Sequence, residues 1–240
     1  DERSRPQKQI IQEIEELVAD GVKEVMLLGQ NVNSYGQDLD REIDFADLLV
    51  EVSNIEGLPR IRFMTSHPRD FTDKLIDVVT EVDEICEHYH LPVQAGSNKI
   101  LQKMNRGYTR EEYLALVEEL QERRPEAAIT SDIIVGFPGE TEADFQETLD
   151  LYRRVRFDRA FTFMYSKRTG TPAANMEGQV PEEVKKERHQ QLLELQEQIN
   201  QEKNEQLEGR TMEVLVDGPS KTNSDLLSGR TRTNKIVIFS

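Results

Sequence analysis

The sequence is poor in cysteine and in long apolar runs, and its bases are outnumbered by its acids. Of 240 residues only one is cysteine, and none is tryptophan. A single thiol, Cys86, excludes an internal disulfide framework and suits a reducing, cytoplasmic setting. No stretch approaches the ~18 apolar residues that span a bilayer, and no secretion-signal pattern is present. The 30 Lys and Arg face 46 Asp and Glu, for a net charge of −16. Such an acid excess is not the footprint of a nucleic-acid binder unless basic residues gather in one place. The stretch Gly136-Phe137-Pro138-Gly139-Glu140-Thr141 lacks the Gly-Lys-Ser/Thr of a phosphate loop, which excludes nucleoside triphosphate hydrolysis of that type. No Ser/His/Asp signature is visible, and Cys86 has no CxxC partner, so it reads as a small buried hydrophobe.

What is present is alternation of helices and strands. Behind Pro6, the residues Ile10, Ile11, Ile14, Leu17 and Val18 form a helical stripe that Gly21 closes. Lys23–Leu28 reads as a short strand, and Asp44 caps a helix carrying Phe45, Leu48, Leu49 and Val52. A strand over 60–65, a helix near 72–82 and a strand over 87–94 follow. Thr109 and Glu112 form a capping box for a helix to about Arg124. A strand over 128–135, a helix capped by Thr141 and a strand over 159–165 complete the series. Five strands alternating with helices predict βαβ units on a parallel sheet. A right-handed βα series that opens on a helix has lost its first strand, so a fragment of a longer protein is expected. From Glu182 to about Leu207 there is no Gly or Pro, which predicts one long exposed helix acting as a spacer. After Gly209 the apolar period shortens to two, with a turn expected at Gly218-Pro219 and strands over 226–233 and 235–239. From Leu207 on, the tail carries five Lys and Arg against four Asp and Glu. Three strands rarely complete a barrel, so it too reads as cut short.

Ligands of parallel α/β sheets and barrels bind at the carboxyl ends of strands. Here those ends are polar: Gly29-Gln30-Asn31, Thr65-Ser66-His67, Gln94 to Asn98, Asp132 to Glu140, and Tyr165-Ser166-Lys167. Together they predict a lined pocket for a polar small molecule. His88 and His90 share a strand face but lack a third ligand at metal spacing, which favours hydrogen-bonded interior histidines. Gly29 and Gly136 read equally well as turn glycines. Asp132 and Glu140 leave open a carboxylate-pair hydrolase or lyase.

Four segments carry a resemblance: Leu27 to Gly36 (LLGQNVNSYG), His90 to Asn98 (HLPVQAGSN), Met104 to Thr109 (MNRGYT), and Asp132 to Thr141 (DIIVGFPGET). They resemble, in order, the corresponding segments of the tRNA methylthiotransferases, which are radical S-adenosylmethionine (SAM) enzymes. The Gly-Gln-Asn-Val-Asn string is similar to the bacterial 2-methylthio-N6-dimethylallyladenosine synthase branch. The resemblance implies a transferase with a parallel partial (β/α) TIM-like barrel, here missing its first strand. A long helix and an incomplete small β-barrel (TRAM) would follow. The implied boundaries are 1–180 for the barrel, 181–208 for the linking helix and 209–240 for the TRAM module.

The resemblance also implies SAM and two [4Fe–4S] clusters as cofactors, tRNA and an electron-donor protein as partners, and a monomer. In the family, a CxxxCxxC loop after the first barrel strand holds the radical cluster, and the cluster needs three thiolates. One cysteine cannot supply them, so this chain alone is expected to hold no cluster and to be inactive. In the intact enzyme, a 5′-deoxyadenosyl radical would abstract hydrogen from the modified adenosine, with sulfur from an auxiliary cluster. By strand position, Gly29, Gln30 and Asn31 would face the methionyl amine. Gln94 and Ser97 would serve the carboxylate or ribose, and Ile134 and Gly136 would pack on adenine. Ser66, Asp132 and Tyr165 complete the implied cofactor set. Arg69, Arg106, Lys167, Arg168, Arg210, Arg230 and Arg232 would meet RNA. A non-catalytic RNA-binding module is the alternative that keeps these basic residues without the chemistry.

Overall fold

The computed structural model describes residues 3–39 and 43–240. Asp1 and Glu2 of the opening segment therefore lie outside the described residues. In chain order the elements are α1 (Gln7–Ala19), β1 (Glu24–Leu27), α2 (Phe45–Ser53), β2 (Arg60–Phe63), α3 (Asp73–Glu81), β3 (His88–His90), α4 (Asn98–Lys103) and α5 (Arg110–Arg123). There follow β4 (Ala128–Val135), α6 (Glu142–Val155), β5 (Arg159–Met164), α7 (Glu182–Glu205), β6 (Val214–Pro219), β7 (Leu227–Thr231) and β8 (Ile236–Phe239). The chain divides into two compact units. One comprises Asp1–His90, Leu120–Ala128 and Gly209–Ser240; the other comprises Leu91–Glu119 and Ile129–Glu208.

In the first unit β1 and β2 pair in parallel, Glu24 opposite Arg60 and Leu27 opposite Phe63. Side chains alternate along a strand, so Ile61 and Phe63 face one side of β2 and Arg60 and Arg62 the other. The apolar side packs on α2, whose helix starts where Asp44 and Asp47 form a reciprocal capping box. Phe45 of that helix meets Phe63 edge-on at 5.3 Å, and Tyr89 stacks on Phe63 at 6.2 Å. Deep in the same core, the Tyr89 hydroxyl donates to the Val79 carbonyl.

The other side of β2 is occupied by charge. Arg60 and Arg62 are almost wholly buried. Arg60 donates to the Arg230 carbonyl at 2.9 Å and to the Glu213 carboxylate at 2.7 Å. Arg62 donates to the carbonyls of Arg232 and Thr231 at 2.7 and 2.8 Å and pairs with Glu24 at 2.9 Å. The acceptors lie on or beside the antiparallel sheet β6-β7-β8. His88 sits close by, buried, and its pKa is lowered to about 4 by burial first and by the charge of Arg62 second.

That C-terminal sheet departs from the expected turn at Gly218-Pro219. β6 runs through both residues. The register shifts between Val216 and Gly218, and Gly218 takes φ +130. A bulge absorbs the glycine there, and a proline at the end of an edge strand breaks no ladder bond. The chain reverses after Ser220, whose N–H donates to the Leu226 carbonyl.

In the second unit β4 and β5 pair in parallel from Thr130 opposite Arg159 to Val135 opposite Met164. Leu91 and Gln94 each donate a backbone N–H toward β4, to Thr130 and Asp132 respectively. The strand expected over 87–94 is thus shorter than anticipated. Pro92 has no N–H to donate, and Gln94 takes φ +72. The short helix α4 was not anticipated either, because six residues carry too little periodicity to register. Thr141 and Asp144 form the capping box of α6. Gly96 lies against α6, where any Cβ would overlap the Thr148 backbone. Gln196 of α7 donates to the Phe157 carbonyl at 2.9 Å.

The buried charges set two expectations for stability. Arg62→Ala strands Glu24 and two carbonyls and should cost about 3–5 kcal/mol, measured by urea unfolding. His88 binds its proton less readily folded than unfolded. Its contribution is therefore complete above about pH 6.5 and is lost as pH falls toward 4. Unfolding free energy should drop by up to about 3 kcal/mol across that window, and His88→Phe should flatten the drop.

Candidate functional site

Because β1 and β2 are parallel neighbours, their carboxyl ends deliver two loops to one edge of the first unit. The loop after β1 holds Gly29, Gln30 and Asn31 and then a single 3₁₀ turn, Val32–Ser34. The loop after β2 holds Thr65, Ser66 and His67 and a second turn, Pro68–Asp70. Hydrogen bonds lace them together. Val32 N–H donates to the Thr65 carbonyl, and Thr65 Oγ1 donates to the Gly29 carbonyl at 2.6 Å. The Asn33 amide donates to the His67 carbonyl at 3.0 Å and accepts the His67 N–H at 2.8 Å. Asn33 is therefore a brace, which sequence reasoning did not isolate.

Asn31 differs. Its Nδ2 donates to Asp70 at 2.6 Å, while its Oδ1 is buried with no partner among the described residues. Ser66 is buried, and its Oγ likewise has none. Burial alone would raise the Asp70 carboxyl, but hydrogen bonds from Arg69 and Asn31 outweigh it and hold it below the ordinary range. Thr65 sits at φ +65, a conformation that a β-branched residue avoids. Unmatched polar atoms and backbone strain together mark a place built for something other than stability. Beside it runs a groove of about 850 Å³ along β1 and α1, lined by Leu17, Met26, Leu28, Gln30 and Asn31 among others. Gly29 has only ordinary van der Waals room where a Cβ would stand, so no close approach explains it.

The other six implied cofactor residues lie in the second unit. Gln94 is bridged to Ile133, and Ile134 N–H donates to its carbonyl. Alternation puts Asp132 and Ile134 on one face of β4 and the fully buried Ile133 and Val135 on the other. Tyr165 follows β5 with its N–H on the Val135 carbonyl and its ring edge-on to Phe137 at 5.3 Å. Its hydroxyl is buried and unpartnered among the described residues. Ser97 spends its hydroxyl on Asp144 at 2.7 Å. Burial would raise the Asp144 carboxyl, yet bonds from Lys99, Thr141 and Ser97 hold it far below its usual range. At Gly136, φ is +74, and a Cβ would overlap the Lys185 side chain. The neighbour that demands glycine is thus Lys185. Glu140 accepts the Gly136 N–H at 2.9 Å and pairs with Arg188 at 2.7 Å. Its carboxylate is committed there rather than aimed alongside Asp132.

The basic residues are mostly engaged. Arg69 pairs with Asp70, Arg210 with Glu126, and Arg230 with Asp217. Arg106 donates to the Pro92 carbonyl and the Tyr108 hydroxyl. Arg232 grips Glu87 and the carbonyls of Asp83 and Ile85. Arg210 and Arg232 line a cleft of about 490 Å³ with Arg123 and Arg124, two residues that sequence reasoning passed over. Lys167 and Arg168 are exposed and form no side-chain ion pair among the described residues. Among those residues no group of three or more His, Cys, Asp or Glu is arranged to hold a metal. Cys86 is buried, and burial pushes its thiol up, which opposes thiolate chemistry.

Comparison with known proteins bears on this arrangement. The chain is 63% identical over 238 residues to the tRNA-2-methylthio-N(6)-dimethylallyladenosine synthase of Desulforamulus reducens, covering 99% of this chain and 52% of that protein. The synthase of the same name from Moorella thermoacetica is 62% identical, again over 99% of this chain and 54% of that protein. The chain thus spans about half the length of the curated relatives it matches. A solved structure of coproporphyrinogen III oxidase from Escherichia coli, described as a radical SAM enzyme, shares the α/β fold with TM-score 0.55 at 17% identity. That match covers 80% of this chain and 46% of the oxidase. The profile of the Radical SAM superfamily matches residues 1–152, well over half of the sequence, and the chain belongs to that superfamily.

Proposed function

We propose that this chain forms the cofactor-orienting part of a tRNA methylthiotransferase, one that installs a 2-methylthio group on N6-dimethylallyladenosine beside the anticodon. The names and identities of the relatives support the reaction. The single structural observation that supports a cofactor face lies in the first unit, where Asn31 Oδ1 and Ser66 Oγ are buried with no partner among the described residues. Both follow strand ends assigned to SAM by position, and in the second unit, taken by itself, Tyr165 Oη is likewise buried and unpartnered among the described residues. An amide oxygen suits an ammonium, a hydroxyl can donate to a carboxylate, and a phenol does either. When bound, SAM would supply radical hydrogen abstraction at the substrate carbon. The chain's own task is to bind, orient and exclude water.

The residues do not fit an iron–sulfur cluster. Three thiolates are needed, and Cys86 is one buried thiol. The isolated chain is therefore inactive in this reading. The architecture we favour is a partial (β/α) barrel over 1–180, the helix over 181–208, and an incomplete TRAM module over 209–240. Ile236 and Ile238, alternate residues left exposed on β8, support a sheet that lacks cover. Among the described residues no helix is long and apolar enough to cross a membrane. A monomer working in the cytoplasm with an electron-donor protein completes the reading. Lys167 and Arg168 are the cations best placed to meet RNA phosphates, because no carboxylate among the described residues competes for them.

Three measurements test this reading. In the full-length protein with its clusters, Asn31→Ala with Ser66→Ala should weaken SAM binding about tenfold or more in equilibrium dialysis, with little change in melting temperature. SAM affinity equal to wild type would sink the assignment. Lys167→Glu with Arg168→Glu should weaken tRNA binding and lower the salt slope by about 0.7–0.9 for each phosphate no longer neutralised. An unchanged slope would remove these residues from the interface. The isolated chain, reconstituted anaerobically with iron and sulfide, should show no cluster absorbance.

A further inference from the structure

The long helix α7, expected as a spacer, reaches the strand tips at two of the assigned cofactor residues, Gly136 and Tyr165. Lys185 and Arg188 stand three residues apart and so share a helix face. Lys185 Nζ donates to the Tyr165 carbonyl at 3.0 Å, and its stem fills the space a side chain at position 136 would need. Arg188 is buried. It donates to the Glu140 carboxylate oxygen at 2.7 Å, the same oxygen that accepts the Gly136 N–H at 2.9 Å, and to the Glu140 carbonyl at 3.3 Å. Its guanidinium also lies over the Phe145 ring at 5.4 Å. Gly136 is therefore held twice from α7: through its N–H by way of Glu140, and over its Cα by the Lys185 stem. Tyr165 is held once, through its carbonyl.

These interactions serve more than attachment of the helix. Gln196 already fixes α7 from a buried position farther along it. A buried ion pair is a poor means of adding stability, because desolvation offsets most of its attraction. What it supplies is one defined position for the group it holds. The glycine so held has a left-handed backbone that could relax if its partners were removed.

We propose that Arg188 and Lys185 are positioning residues for SAM, setting the Gly136 and Tyr165 tips against the adenosine portion of the cofactor. This inference rests on the assignment of that cofactor face above. It gives α7 a part in the binding site through the residues it holds.

The test uses the full-length, cluster-reconstituted protein, with SAM affinity read by equilibrium dialysis without reductant and melting temperature read in parallel. Arg188→Gln should raise the SAM dissociation constant at least about tenfold, Arg188→Lys should restore most of that loss, and Lys185→Met should weaken binding severalfold. Gln196→Ala, which loosens α7 away from the tips, should lower the melting temperature while leaving SAM affinity near wild type. In turnover, the apparent KM for SAM should rise more than kcat falls. If Arg188→Gln does not fold, Lys185→Met carries the test. Wild-type affinity in folded Arg188→Gln, or in Lys185→Met where Arg188→Gln does not fold, would overturn the inference alone, as would an equal loss in Gln196→Ala. A wild-type protein that does not bind SAM would overturn the cofactor assignment and this inference with it.

Discussion

A guanidinium taken out of water must find acceptors in fixed positions, and this requirement organises each unit. Arg60 and Arg62 sit in a four-residue strand whose every member is buried. Their acceptors come from Glu24 and from residues 213 and 230–232. The C-terminal sheet is thus bound to β2 by acceptors it offers to buried charge. Arg232 repeats the pattern in reverse, its side chain closing on Glu87 and the carbonyls of Asp83 and Ile85. In the second unit Arg188 does the same for α7 and Glu140. None of these interactions is a strong source of net stability. Each of them makes an alternative register or docking costly, since any slip leaves a buried charge unmet.

The parts of the fold that sequence reasoning recovered are those whose causes are local. Asp44, Thr72, Thr109 and Thr141 each bond a backbone or side-chain group within three residues, and caps of that kind are visible in a short window. The strands β1, β2, β4 and β5 were visible for the same reason, as short apolar or alternating runs that give way to polar residues. The roles of Asn33, Ser97 and Gly136 were not, because the partners that define them are His67, Asp144 and Lys185. No window short enough to show a period contains both members of such a pair. Nothing within the strand marks Arg60 and Arg62 as buried, because the sheet that closes over them forms 170 residues later.

The candidate site shows the same division between local signal and distant partner. The amides after β1 stood out because they are uncharged and terminate an apolar run. Once placed, they separate by what they hold. Asn33 spends both ends of its amide on His67. Asn31 spends one end on Asp70 and keeps the other buried and unmet. A chain selected only for stability would have paired or removed that oxygen, since an unmatched buried acceptor costs about 1–3 kcal/mol. The strained Thr65 beside it adds a further cost of similar kind.

Charge follows the same logic on a larger scale. In a protein of net charge −16, cations readily find carboxylates, and most of the arginines do. Lys167 and Arg168, just past the tip of β5, are left without one among the described residues. An acidic body repels a polyanion at long range, within the reach that salt allows. Two uncompensated cations beside that strand tip therefore give a phosphate backbone a favourable approach, toward the end of the sheet where the Tyr165 hydroxyl lies unmatched. Repulsion elsewhere on the surface sharpens that preference, so an acidic composition does not oppose the RNA substrate proposed above.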